Sequence, residues 1–128
     1  MKKTKLLFSC FLTVMSLLSC TQTEIANYEV IPLPQEITKG EGAPFLLEDQ
    51  VKVVYPSGKE DLKRVAEFLT EYLRFSAGFT LSVTDQPTET SAIVLSDTFE
   101  HENKEAYTLS VDKNKITING TTAAGTFY

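Results

Sequence analysis

The sequence predicts an α+β domain with a mixed, mostly antiparallel sheet backed by two helices. Three observations in its 128 residues support this fold class. Residues 59–77 repeat apolar side chains at helical spacing, several shorter stretches show the patterns of strands, and Gly, Pro and Asn/Asp clusters separate them. The second helix is expected to begin near Thr121 and to be truncated where the sequence stops, at Tyr128.

The first 19 residues are predicted to form a lipoprotein signal peptide rather than part of the fold. Three lysines precede an apolar stretch over residues 6–18, which is shorter than the roughly 20 apolar residues that a membrane-spanning helix needs. Ser19 and Cys20 follow directly, in a pattern similar to a bacterial lipobox, where the cysteine is acylated and becomes the mature N-terminus. Cys20 is therefore the predicted lipid-attachment site, and a plain secretory signal with an incidental cysteine is the alternative.

A lipid on Cys20 would determine the chemistry and the location of the mature chain. Cys10 lies inside the signal peptide, so the mature domain would contain no thiol and no disulfide. Residues 20–27 are predicted to be a polar tether to a membrane that the fold itself need not touch. The expected location is the cell envelope, as a membrane-anchored lipoprotein that faces the periplasm or the cell exterior.

The folded domain is expected over residues 28–128. Pro32 and Pro34 favour an extended start, because each proline restricts the residue before it to extended conformations. Residues 45–47 are predicted to be a short strand, and residues 51–55 alternate as a second strand.

The strongest prediction is a helix over residues 59–77, with apolar side chains on one stripe and charged side chains on the other side. Ser57 and Glu60 have the spacing of a capping box at its start. Gly78 is the natural cap at its end. The predicted apolar stripe consists of Leu62, Val65, Ala66, Leu69, Tyr72, Leu73 and Ser76.

The strands after the helix follow from alternation and from one apolar run. Residues 80–84 alternate, and residues 92–95 are continuously apolar, as in an inner strand covered on both faces. Residues 107–111 and 116–118 are predicted to form a hairpin around a turn at 112–115. The tyrosines placed on inward faces by these patterns are Tyr55, Tyr72 and Tyr107.

Composition and motifs identify no catalytic, metal or cofactor site. The net charge of −5, without a basic cluster, argues against nucleic-acid binding, and His101 is the one histidine, too few for a zinc site. The segment from Gly120 to Thr126 resembles a phosphate-binding loop but lacks its lysine, so its glycines are expected to permit a tight turn and close helix packing. The carboxylate pairs at 48–49 and 60–61 need no catalytic role.

Several segments, taken in order, resemble the N-terminal non-catalytic domain of bacterial β-N-acetylhexosaminidases, the glycoside hydrolases of family 20. The resemblance covers residues 28–128, nearly the whole of the predicted mature chain. It is carried by Ile31-Pro-Leu-Pro-Gln35, the helix over 59–77, the strand patterns over 105–111 and 116–120, and Ala123-Ala-Gly-Thr-Phe-Tyr128.

The resemblance implies an accessory role beside a catalytic (β/α)₈ barrel. Enzymes of the family remove terminal N-acetylhexosamine from glycans by substrate-assisted retaining hydrolysis, with an Asp-Glu pair on the barrel. No Gly-Gly-Asp-Glu-like motif occurs in this sequence, so the barrel is absent from it and no catalytic residue is carried over. The implied partners are the membrane, through the lipid, the barrel of the parent enzyme and, through that enzyme, glycans.

Two other interpretations stay open at this point. The chain could be a self-sufficient surface lipoprotein that binds a glycan or a protein, although the lack of tryptophan weakens an aromatic sugar platform. The domain could also belong to another glycosidase with a similar accessory domain, such as a hyaluronidase-like or α-glucuronidase enzyme. Substrate-binding residues are unknown under all three interpretations.

Replacement of Cys20 tests the lipid anchor. Cys20→Ala should release the protein from membranes or leave it unprocessed, because the acylated side chain is lost. Membrane fractionation and the intact mass of the mature protein measure this, with Cys10→Ala as the matched control. Unchanged fractionation and unchanged mass for Cys20→Ala would contradict lipidation.

Overall fold

The computed structural model describes residues 28–30, 33–40 and 42–128. The predicted signal peptide, the tether and Cys20 lie outside these described residues. The chain divides into two units, Met1–Glu36 and Ile37–Tyr128, and the described residues of the first unit are irregular. No helix in the described part is long and apolar enough to cross a membrane.

The second unit contains five strands and two helices among its described residues. The predicted strand at 45–47 does not form; Phe45 and Leu47 pack instead as irregular, half-buried chain against the core. The elements in chain order are β1 (Lys52–Val54), α1 (Glu60–Ala77), β2 (Ser82–Thr84), β3 (Ala92–Ser96), β4 (Tyr107–Val111), β5 (Lys115–Gly120) and α2 (Ala123–Phe127).

The strands form one mixed sheet in the order β2-β1-β3-β5-β4, so the predicted α+β class with two helices is confirmed. The expected predominance of antiparallel pairing is wrong: β1 is parallel to β2 and β3, β3 is parallel to β5, and only β4 is antiparallel to its neighbour β5. Helix α1 carries the chain back to the start of β2, which makes that pair parallel. The hairpin places β4 on the outside and returns β5 beside β3.

The register of the sheet gathers its apolar side chains on one face. Val53 lies beside Val83 and Ile93, and Ile93 lies beside Ile116. Helix α1 packs on this face, so the core lies between the helix and the central strands. The buried apolar residues are Val51, Val53, Leu62, Ala66, Leu81, Ala92, Ile93 and Leu95.

The two ends of α1 differ in how well the sequence predicts them. Gly78 has φ of 80° and donates its N–H to the Arg74 carbonyl, which confirms the predicted cap. The capping box is wrong, because the N-cap is Lys59 and makes no side-chain cap. Ser57 Oγ donates instead to the Asp85 carboxylate at 3.0 Å. Hydrogen bonds from Gln86 and then Ser57 lower the pKa of Asp85.

Candidate docking surface

The polar residues that the sequence singled out serve local structure. His101 Nδ1 accepts the N–H of Asn103 at 3.0 Å, and its ring stacks on Phe99 with centroids 5.8 Å apart. Asp49 accepts the N–H of Thr80 at 3.2 Å, which joins the chain before β1 to the chain before β2. In the part of the chain that the structure describes, no group of three or more His, Cys, Asp or Glu side chains could hold a metal ion.

The acidic residues at the start of α1 likewise form ion pairs within their own helix. Glu60 pairs with Lys63 at 3.7 Å, and Asp61 pairs with Arg64 at 3.5 Å. Both carboxylates lie in the first turn, where negative charge favours the helix dipole. The pair at 60–61 therefore has a structural explanation, as the sequence predicted.

The glycines between β5 and α2 allow a very close approach of backbone to backbone. A Cβ atom at Gly120 would lie 2.4 Å from the Thr126 nitrogen, and one at Gly125 would lie 2.6 Å from the Ala106 oxygen. Real Cβ contacts are not this short, so a side chain at either position would force the junction apart. The predicted tight turn and close helix packing are confirmed, and they account for the spacing that resembles a phosphate loop.

Two threonine hydroxyls fasten α2 to its surroundings at this junction. Thr122 Oγ1 accepts the N–H of Gly125 at 3.4 Å and donates to the Lys104 carbonyl at 2.7 Å. Thr126 is 4% exposed, and its hydroxyl donates to the Ser96 carbonyl at the end of β3, at 2.7 Å. Helix α2 is therefore fixed both to the loop before β4 and to the central strand.

The junction places Phe127 against the outer flank of α1, with Tyr128 beside Phe127. The Phe127 ring lies 5.0 Å from the Phe68 ring and 5.6 Å from the Tyr128 ring, measured between centroids. Phe68, Tyr72 and Phe75 follow one another at helical spacing and are 53%, 60% and 74% exposed. We call these five residues the aromatic surface.

The aromatic surface corrects one sequence prediction. Tyr72 was expected on the buried stripe of α1, but the side of the helix that contacts the sheet is centred on Leu62, Ala66 and Leu69. Tyr72 is not among the side chains packed against the core and is exposed. The width of a buried helical stripe is set by the partner surface, which periodicity alone does not give.

The outer part of the apolar sheet face is also uncovered. Tyr107, Leu109 and Val111 of β4 lie on the same face as the core, because Leu109 is paired with Ile118 and Val111 with Ile116. Tyr107 was predicted to lie on the inward face of the sheet, and it does lie on that face. It is nevertheless 40% exposed, and Leu109 and Val111 are 58% and 55% exposed. We call these three residues the β4 strip.

The residues of this domain match a known family. The sequence profile described as glycosyl hydrolase family 20, domain 2, matches residues 27–128. The chain belongs to this family. Residues 27–128 therefore form a domain of the N-terminal, non-catalytic family 20 type, and the resemblance noted from the sequence is confirmed.

Two proteins similar to this chain are named as hexosaminidases. A beta-hexosaminidase of Porphyromonas gingivalis (strain ATCC BAA-308 / W83) is 29% identical over 130 aligned positions, which cover 94% of this chain and 16% of that protein. The GH20 beta-N-acetylhexosaminidase from Streptomyces coelicolor A3(2) has a structure similar to this domain, with a TM-score of 0.68 and 28% identity. That match covers 77% of this chain and 19% of the other, so the chain spans less than a fifth of each relative.

The buried hydroxyl of Thr126 provides a test of the junction. Thr126→Val should lower the free energy of unfolding by about 1–3 kcal/mol, because the Ser96 carbonyl loses its buried donor. Thr126→Ser keeps the hydroxyl and is the matched control. Urea denaturation of both variants measures the difference, and equal midpoints would show that the hydrogen bond contributes nothing.

Proposed function

We propose that this chain is the accessory domain of an exported, lipid-anchored β-N-acetylhexosaminidase, and that its aromatic surface docks against the catalytic barrel of that enzyme. The parent enzyme would remove terminal N-acetylhexosamine from glycans, and this domain would take no part in the chemistry. The single observation that carries the docking role is the cluster of five exposed aromatic side chains on α1 and α2.

The composition of the aromatic surface is that of an interface core. Single exposed apolar residues are normal, but a contiguous exposed cluster marks a binding surface, and aromatic residues are enriched at the centres of interfaces. Phe68, Tyr72 and Phe75 carry no charge, whereas Arg74 and Glu71 beside them form an ion pair at 3.7 Å. An aromatic centre with a charged rim is typical of a protein partner.

The junction at Gly120–Thr126 supports an intramolecular partner. Its close contacts fix the direction of α2, so that Phe127 is held against Phe68 before any partner arrives. A rigid surface loses little conformational entropy on binding, which favours docking of a module joined to the same polypeptide. The match covers 16% and 19% of the two similar enzymes, so each of them has room for a further module in the same polypeptide.

The carboxylates of this domain support a non-catalytic role. A glycosidase acid needs a raised pKa and a position beside its partner carboxylate. Asp85 is half-buried, and hydrogen bonds from Gln86 and Ser57 lower its pKa. Asp97 pairs with Lys59 at 3.0 Å. These carboxylates stabilise turns and helix ends, so the chemistry is assigned to the barrel.

The proposal of export and membrane anchoring is supported only by the predicted signal peptide and Cys20. Basic residues, an apolar stretch and Ser19-Cys20 support a lipid at Cys20, with the domain held at the cell envelope. One acyl chain binds a membrane only marginally, so firm anchoring would need more than one chain.

A chimera tests the accessory role. Residues 27–128 replace the matching segment of the Porphyromonas gingivalis beta-hexosaminidase, and hydrolysis of a chromogenic N-acetylglucosaminide is measured. The chimera should hydrolyse the substrate, and the purified chain alone should not. Turnover by the chain alone, in material free of host enzyme, would contradict the proposal.

Paired substitutions in the chimera test the docking surface. Phe68→Ser with Phe75→Ser should shorten the half-life of activity at elevated temperature by about tenfold, since truncation of an aromatic anchor typically costs more than 1 kcal/mol. Lys63→Ser with Glu67→Ser, on the charged side of α1, is the matched control. Equal half-lives for the two pairs would argue against docking, and glycan binding by the chain alone would favour the self-sufficient lipoprotein.

A further inference from the structure

The outer edge of β4 has no partner among the described residues. In the sheet order β4 comes last and pairs with β5 alone. Asp112 donates its N–H to Lys115, and Thr121 donates to Ala106, both at 2.9 Å, so the even-numbered residues of the hairpin exchange hydrogen bonds with β5. Because hydrogen-bonded pairs alternate along an antiparallel ladder, the odd-numbered residues direct their N–H and C=O groups away from the sheet.

This edge lacks the features that normally prevent pairing with another strand. Natural edge strands are short, or carry Lys, Pro or a bulge. The segment Tyr107–Val111 has no charged residue and no proline, and all of its residues are exposed. The opposite edge, β2, is only three residues long. Of the two edges, β4 is the one open to strand addition.

We propose that β4 pairs edge to edge with β4 of a second copy of this chain, antiparallel and centred on Leu109. In this register Leu109 faces Leu109 of the second copy, and Tyr107 faces Val111. Every outward N–H and C=O of β4 then finds a partner, and apolar side chains meet across the twofold axis.

The charges that flank β4 select this register. Glu105 and Lys113 lie two residues beyond the two ends of β4, are exposed, and have no ion-pair partner among the described residues. Pairing centred on Leu109 brings the turn that carries Glu105 in each copy toward the turn that carries Lys113 in the other. A slip of two residues loses both pairs, because it places Glu105 beside Val111 or Lys113 beside Tyr107.

The proposed contact uses the backbone edge of the sheet, whereas the proposed docking of a catalytic barrel uses the aromatic surface on α1 and α2. The two are independent, so either can fail without the other. The second copy is also the partner that the charge pattern fits best, since both halves of each ion pair come from this sequence.

Disulfide trapping in the full chain tests the register. Cys10→Ser and Cys20→Ser remove the native thiols, and single cysteines then replace Tyr107, Leu109 or Val111. Facing residues of a hydrogen-bonded pair have Cα atoms about 5.5 Å apart, which suits a disulfide, whereas residues four positions out of register lie about 13 Å apart. The Leu109→Cys variant should therefore form covalent dimers without a second variant being added.

The other two cysteines make the outcome specific. Tyr107→Cys and Val111→Cys should each stay monomeric alone and should cross-link to each other when the two variants are mixed. The absence of a dimer for Leu109→Cys, or equal cross-linking of all three variants alone, would overturn the proposal.

A charge exchange separates the ion pairs from effects on folding. Lys113→Glu should weaken self-association by about two- to tenfold, because the dimer loses two exposed ion pairs. Sedimentation velocity measures this change. Glu105→Lys combined with Lys113→Glu should restore the original self-association, because the opposite charges face each other again. A double variant as weak as the single variant would contradict this register.

Discussion

One helix cannot cover the apolar face of a five-stranded sheet, and the rest of the structure depends on this constraint. A helix with its side chains is about 10–12 Å wide and neighbouring strands are about 4.8 Å apart, so one helix shields about two to three strands. Helix α1 lies over β1, β2 and β3, where the buried core is found. The β4 strip lies two strands beyond β3 in the sheet order and stays exposed.

The junction from β5 to α2 determines how this exposed apolar area is organised. Gly120 and Gly125 permit contacts that no side chain would allow, and the Thr126 hydroxyl ties α2 to β3. Phe127 is thereby set against Phe68, which joins the flank of α1 to α2 in one aromatic surface. The sequence motif that resembled a phosphate-binding loop thus positions a helix.

Local sequence patterns predicted the features that depend on short segments. They did not predict the features that depend on contacts between residues distant in sequence. Helix α1, its Gly78 cap, the hairpin and the close packing at Gly120 follow from spacing and conformational freedom within short segments. Strand alternation does not reveal which strand lies alongside, so the parallel pairs were missed. Ser57 was predicted to cap α1, but its hydroxyl donates instead to Asp85, which is 28 residues away in the sequence. Exposure of Tyr72 depends on how far the sheet extends, and lipidation of Cys20 stays a prediction.

Hydroxyl-radical footprinting of the aromatic side chains tests the central claim most directly. The labelling rates of Tyr72 and Phe75 are compared between the chain alone and the Porphyromonas gingivalis chimera, with half-buried Tyr55 as the internal reference. Docking of the catalytic barrel predicts slower labelling of both aromatic residues in the chimera and an unchanged rate at Tyr55. Equal rates at Tyr72 and Phe75 in the two proteins would contradict the account.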